Sequence, residues 1–218
     1  MENFKTSYSK RMARQLLGAV AFPVVLVAGW FFPFVGYFIP ACMLLGVGIS
    51  FFQGRKWCDW YCPRGSFFDS VIGRISPKKE IPAVFRSFSS RLGMLVLLMS
   101  LMVLQIIKRW PDPYKIGMFF VVMITLTSTL GVILGLIFHP RIWCYLCPVG
   151  SLSNWIGKGK RPLLIDGKLC NECALCHKAC PMQLEAFSAR KDGIFKNGDC
   201  LKCGLCVASC PKKALRFP

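Results

Sequence analysis

A chain of 218 residues that is 54% hydrophobic and only 17% charged falls short of the roughly 25% charge of a soluble domain, so much of it is expected to face lipid. Its formal net charge of +18 does not mark a nucleic-acid binder, because the basic residues follow the ends of apolar runs instead of forming one stripe. Thirteen cysteines in a chain that is neither short nor charged point to metal binding, not to a secreted disulfide scaffold.

From Gln15 to Gly54 there are forty residues without a formal charge. One helix of that length would reach about 60 Å, twice the hydrocarbon thickness, so the run must fold back. Pro33 and Gly36 are the natural turn, giving spans at about 15–31 and 36–53. The first run exceeds the core of a cleavable signal peptide and lacks a small-residue cleavage site, so it is expected to remain as a span. Leu92 to Ile107 is a third span, bounded by Arg91 and Lys108, whose stems can snorkel. Ile116 to Pro140 is the fourth, and the proline-stiffened segment 108–115 joins the two.

Orientation follows the basic residues near span ends. Lys5, Lys10, Arg11 and Arg14 precede the first span, and the 53–91 loop adds Arg55, Lys56, Arg64, Arg74, Lys78, Lys79, Arg86 and Arg91. The opposite side holds only Lys108, Arg109 and Lys115. Both termini are therefore expected in the cytoplasm, with the chain in the cell (inner) membrane. Trp30 and Trp110 fall at the outer boundary, and Trp57, Trp60, Trp143 and Trp155 near the inner one, as an aromatic belt requires.

After Pro162 the chain turns polar and cysteine-dense. Cys170-x2-Cys173-x2-Cys176-x3-Cys180-Pro181 is followed by Cys200-x2-Cys203-x2-Cys206-x3-Cys210-Pro211, two ungapped copies of the bacterial ferredoxin run. A tight loop brings three thiolates to one cubane, and the fourth cysteine is expected to start a helix reaching the other. Ligation is thus crossed: Cys170, Cys173, Cys176 and Cys210 for one [4Fe–4S] cluster, Cys200, Cys203, Cys206 and Cys180 for the second. His177 beside Cys176 lacks the paired histidine of a Rieske site and is expected to be an exposed loop residue.

A second constellation lies at the inner ends of the second and fourth spans. Arg55-Lys56-Trp57-Cys58 leads to Cys62-Pro63-Arg64-Gly65-Ser66, and Arg141-Ile142-Trp143-Cys144 leads to Cys147-Pro148-Val149-Gly150-Ser151. The shared pattern suggests two parallel repeats, at about 10–75 and 88–157, each a helical hairpin followed by a cysteine pair. Three readings of Cys58, Cys62, Cys144 and Cys147 stay open. They hold a third iron–sulfur cluster, [4Fe–4S] before [2Fe–2S]; they handle thiols or metal; or they pack a corner as reduced cysteines. Arg55, Arg64 and Arg141 would offset an anionic cluster or anchor span ends. Cys42, mid-span, reads as a small core residue. His139 and Asp69 are candidates for proton exchange, read more simply as an interfacial histidine and a solvated carboxylate.

Four spans, C-P-x-G-S pairs after the second and fourth, and a two-cluster tail together resemble the NapH-type membrane ferredoxins, over nearly the whole chain. The second pair departs from the family's usual C-x3-C-P spacing, being C-x2-C-P at Cys144 and Cys147. The resemblance implies an electron-transfer subunit that links a quinone pool to partner redox subunits and has no stand-alone catalytic site. A metal or oxidase biogenesis factor is the alternative. The expected architecture is a membrane α-helical four-span bundle of two parallel helical-hairpin repeats over 1–160. A small α+β bacterial-type 2[4Fe–4S] ferredoxin domain over 161–218 completes it. Expected partners are other redox subunits, the lipid bilayer and a quinone, with no nucleic acid.

Overall fold

The computed structural model describes residues 2–218, with side-chain surroundings from Arg11 onward, so the side chains of Lys5 and Lys10 lie outside the described residues. Four helices are long and apolar enough to cross a membrane. The first, α1 (Glu2–Phe31), accommodates Pro23 in its interior. A 3-10 turn over Pro33–Tyr37 reverses the chain into α2 (Phe38–Gln53), which stops at Gly54, where φ of +64° suits glycine. A connector follows, made of α3 (Trp57–Trp60), α4 (Pro63–Phe67), a π-helical turn at Phe68–Ile72, α5 (Gly73–Ile75) and α6 (Ala83–Arg86).

Ser87 caps α7 (Phe88–Arg109), its hydroxyl accepting from the Ser90 N–H at 3.2 Å. Asp112 caps α8 (Pro113–Ile137), accepting from the N–H groups of Tyr114 (3.1 Å) and Lys115 (3.3 Å), with Pro113 at the first helical position. Two short helices, α9 (Trp143–Leu146) and α10 (Pro148–Ile156), close this part. The helices differ from the expected spans at their ends. Arg91 lies inside α7 and is buried, instead of snorkelling at its boundary. The fourth helix ends at Ile137, because Pro140 drives His139 away from helical backbone.

The turn after α1 packs against the start of α8 through backbone. A Cβ on Gly36 would overlap the Gly117 carbonyl oxygen, and one on Gly117 would overlap that of Pro33. Gly36→Ala is therefore expected to cost about 1–3 kcal/mol, as overpacking does. Gly48→Ala, where the added carbon meets open space, is the control. Thermal unfolding in detergent compares the two; equal midpoints would mean that this contact is not tight. Outside the bundle, Leu17, Leu44 and Phe52 stay 76–80% exposed, an arrangement that water penalises and lipid does not.

The C-terminal unit carries β1 (Leu163–Ile165), α11 (Leu175–Lys178), β2 (Ile194–Phe195), α12 (Leu205–Ser209) and β3 (Leu215–Arg216). The strands form an antiparallel sheet in the order β2-β1-β3, with Leu163 opposite Phe195 and Ile165 opposite Leu215. The fourth cysteine of each run follows its short helix instead of opening one: Cys180 lies beyond α11 and Cys210 ends α12. Leu163, Met182 and Leu201 of this unit share one continuous core with Ile81 of the connector and with Ile142 and Tyr145 at α9. That shared core presses the cysteine runs against the end of the bundle that carries the connector.

Candidate functional site

Each C-P pair is a helix start. Cys62 precedes Pro63 at the head of α4, and its sulfur accepts from the Gly65 N–H at 3.4 Å. Cys147 precedes Pro148 at the head of α10. Proline suits the first helical position because its missing N–H would have no helical partner there. The other cysteine of each pair rides on a single helical turn: Cys58 on α3 and Cys144 on α9. All four line one cavity of about 160 Å³, walled above by Phe22, Cys42, Met99 and Met123. Cys42 thus belongs to the cavity wall.

The two arginines that open the motifs cross over. Arg141 donates to the Cys58 carbonyl oxygen at 2.8 Å and lies against Gly65, where a Cβ would come within 2.9 Å of its Nη1. Arg55 donates to the Cys144 carbonyl oxygen and lies against Gly150, where a Cβ would come within 2.6 Å of its Nη2. Each motif's arginine therefore holds the other motif's cysteine turn. That accounts for the arginine, the first cysteine and the glycine as one unit in the repeated pattern.

Both guanidinium groups are fully buried and paired. Arg141 Nε and Nη2 donate to Asp69 at 2.7 and 2.6 Å, and Nη2 reaches Asp59 at 3.3 Å. Arg11 forks onto Asp59 at 2.8 and 2.7 Å, and Gln15 donates to Asp69 at 3.1 Å. Asp69 is thus an ion-pair partner and not a solvated carboxylate. Asp199, next to Cys200, takes Arg55 and also Arg91, the latter at 3.0 and 2.7 Å. Burial opposes the Arg55 charge, but Asp199, Cys58 and Cys144 outweigh it and raise its pKa. His139 is buried, accepts from the Arg141 N–H at 3.2 Å, and is lowered by that burial to about 4, so it stands neutral.

Arg64 has no carboxylate partner among the described residues. It lines the cavity, donates to the Thr127 carbonyl oxygen of α8, and lies 4.7 Å from the ring centre of Trp143. Trp143 is 2% exposed, so it belongs to this site and not to the boundary belt. Its indole nitrogen and the Arg64 Nε are buried without a hydrogen-bond partner among the described residues. Beside the cysteine turns, the guanidinium groups of Arg11, Arg55, Arg91 and Arg141 pair with the carboxylates of Asp59, Asp69 and Asp199, and Arg64 in the cavity wall adds a fifth guanidinium. The excess is two positive charges, which is costly to bury unless an anion answers it. A [4Fe–4S] core held by four thiolates carries about −2 when oxidised. The donor set and the surrounding charge both fit such a group.

The ferredoxin runs bring further cysteines together. Cys170, Cys173, Cys176 and Cys210 line one small cavity with Leu169, Leu175 and Phe187. Burial, followed by the charges of Cys200 and Cys180, pushes the Cys206 thiol up to about 12. Burial likewise raises Cys203, as does Asp59 across the junction. Glu172 and Ala174 in the first run, and Lys202 and Gly204 in the second, take left-handed backbone at matching positions. Alternating handedness of this kind turns successive N–H groups inward, toward an anion. His177 lies on α11, half-buried, and not on an exposed loop.

The 4Fe-4S binding domain family matches residues 35–82 and again 117–168, each segment holding one membrane-end cysteine pair. The 4Fe-4S dicluster domain family matches residues 169–215. The chain belongs to the ferredoxin-type 4Fe-4S proteins. Such a protein has an iron–sulfur electron-transfer role. An uncharacterized protein of Methanocaldococcus jannaschii is 27% identical over 80% of this ferredoxin-type chain and 68% of its own length. A ferredoxin of Methanothermococcus thermolithotrophicus is 41% identical over 23% of this chain and 88% of its own. The delta subunit of the NADH-dependent phenylglyoxylate dehydrogenase of Aromatoleum evansii is 33% identical over 33% of this chain and 78% of its own. No solved structure matches the chain.

The cysteines are legible as sites from spacing alone. Asp59, Asp199 and Arg11 are not, although Asp59 sits between Cys58 and Cys62, and Asp199 adjoins Cys200. The equal placement of Arg55 and Arg141, three residues before Cys58 and Cys144, is the available signal for the crossed arginines.

Proposed function

We propose that this chain is a membrane-bound electron-transfer subunit, built as two hairpin repeats over 1–160 and a ferredoxin domain over 161–218. It carries two ferredoxin [4Fe–4S] clusters and a third between the repeats. The crossed ligand sets are Cys170, Cys173, Cys176 and Cys210, and Cys200, Cys203, Cys206 and Cys180. Cys58, Cys62, Cys144 and Cys147 hold the third cluster. The observation that carries this reading is the one cavity that all four cysteines line, with Arg64 in its wall and Arg141 Nη1 3.7 Å from the Cys144 sulfur. When bound, each cluster supplies a one-electron carrier.

The chain's own residues exclude water from the membrane-end site, hold its cysteine turns through Arg55 and Arg141, and offset charge through Arg64. Burial pushes the Cys58 thiol up to about 12 and the Cys62 thiol up to about 11, the reverse of an activated redox thiol. Both termini and the ferredoxin domain face the cytoplasm, by the basic-residue asymmetry of the loops. The apolar upper part of the cavity, between α2, α7 and α8, suits a quinone, and neighbouring redox subunits complete the path.

The test is anaerobic reduction in proteoliposomes. A quinol added to the membrane should bleach cluster absorbance in the intact chain and fail to do so after Cys58→Ser with Cys144→Ser. Stoichiometric copper binding without quinol-driven bleaching would favour the biogenesis role instead.

A further inference from the structure

The two ferredoxin cysteine sets are not equivalent in their surroundings. The set built on Cys200, Cys203, Cys206 and Cys180 faces the end of the helix bundle that carries the connector. Asp199 beside it pairs with Arg55 and Arg91, Trp60 Nε1 lies 3.5 Å from the Lys202 carbonyl oxygen, and Tyr145 donates to the Met182 carbonyl oxygen at 2.7 Å. The cavity of the other set is lined only by residues of the C-terminal unit, from Leu169 to Leu215. Among the described residues, no hydrogen bond or ion pair joins the segments 166–178 and 210–214 to the helix bundle or its connector.

That distal face is open and has a distinct composition. Cys173 is exposed, and Leu169 and Leu175 beside it are 49% and 41% exposed, large values for leucines next to a buried cysteine. Lys168, Lys178, Lys212 and Lys213 are exposed around them, and Lys212 lines the cavity itself. Asp166 and Glu172 lie in the same segment and Glu185 lies two residues before Phe187; Glu172 is engaged by Arg190 at 3.2 Å. A small apolar centre with a basic rim is the form of a weak, fast electron-exchange contact, in which charge steers encounter and a modest area allows release.

We propose that the face around Cys173 is the docking surface through which this chain exchanges electrons with a soluble carrier, and that the carrier is an acidic protein. This rests on the electron-transfer reading above. It adds an order: the membrane-end site, then the set containing Cys203, then the set containing Cys173 at the surface. The lysine rim selects the partner by charge, and the leucines give the short-range contact.

The intact chain, loaded with iron and held in zwitterionic nanodiscs, tests it. Binding of an acidic flavodoxin, with basic cytochrome c as comparison, is measured at low and high salt. The variants are Lys168→Glu with Lys178→Glu and Lys212→Glu, and a control carrying Lys158→Glu with Lys160→Glu at exposed positions outside this face. The rim variant should weaken flavodoxin binding by about tenfold at low salt, and salt should erase the difference. The control should leave binding unchanged. Equal binding by all three proteins, or preference for cytochrome c, would overturn the docking face. So would a loss of binding that appears only with anionic lipid vesicles. Iron content and EPR spectra of the same samples separate electron transfer from docking. An iron-free wild-type chain sinks the electron-transfer reading itself, whereas iron-replete chains that bind flavodoxin equally sink the docking face alone.

Discussion

Replacing Arg141 by methionine is expected to destabilise the protein by about 3–5 kcal/mol, the usual cost of breaking a buried ion pair by removing one partner. Methionine roughly keeps the aliphatic bulk of the side chain, so the loss reports the charge and its hydrogen bonds. Asp69 would lose two contacts at 2.6 and 2.7 Å, and Asp59 would keep Arg11 but lose the third member of its cluster. The Cys58 carbonyl oxygen would lose its donor as well. Arg141→Lys should fall between wild type and the methionine variant, because an ammonium keeps the charge but cannot fork onto a carboxylate and reach a carbonyl together. Thermal unfolding in detergent ranks the three. A methionine variant as stable as wild type would mean that the pairing contributes nothing beyond shape.

Asp199→Asn is expected to be of similar size and to act at the junction between the helix bundle and the C-terminal unit. Arg55 and Arg91 are the two cations on this carboxylate, and their side chains are 0% and 5% exposed. The amide would leave two buried guanidinium groups without an anion, at a cost of about 3–5 kcal/mol. Because Asp199 precedes Cys200, the C-terminal unit should loosen before the bundle melts. Limited trypsin digestion reads this directly: cleavage at the exposed Lys158 or Lys160 should become faster than in wild type, while the helical fragment persists. Unchanged cleavage would show that the shared apolar core, and not Asp199, joins the two parts.

Local signals and long-range ones are unequally legible in the sequence. The cysteine spacings and the Pro33–Gly36 reversal are local, and each carries its own geometry. The four long helices are visible as charge-free runs, but the nearest charge is a poor guide to their ends. Arg91 marks a boundary in the sequence, although Asp199, 108 positions away, draws it inside. Asp69 reads as solvated for the same reason, since its partner Arg141 is 72 positions distant. Trp143 matches a boundary belt by position, yet Arg64 and the cavity take it inward. The order of residues along a chain does not reveal which charges meet; the repeated Arg-x-Trp-Cys pattern comes nearest, because it places Arg55 and Arg141 equivalently.

In the proposed function, Cys58, Cys62, Cys144 and Cys147 hold a cluster in addition to those of the ferredoxin runs. Iron per chain after anaerobic purification tests it most directly. Three cubanes predict about 12 iron atoms for the wild type, and Cys58→Ser with Cys144→Ser should lower this to about 8 while leaving the two ferredoxin EPR signals intact. A wild-type value near 8 that the double substitution does not change would contradict the account.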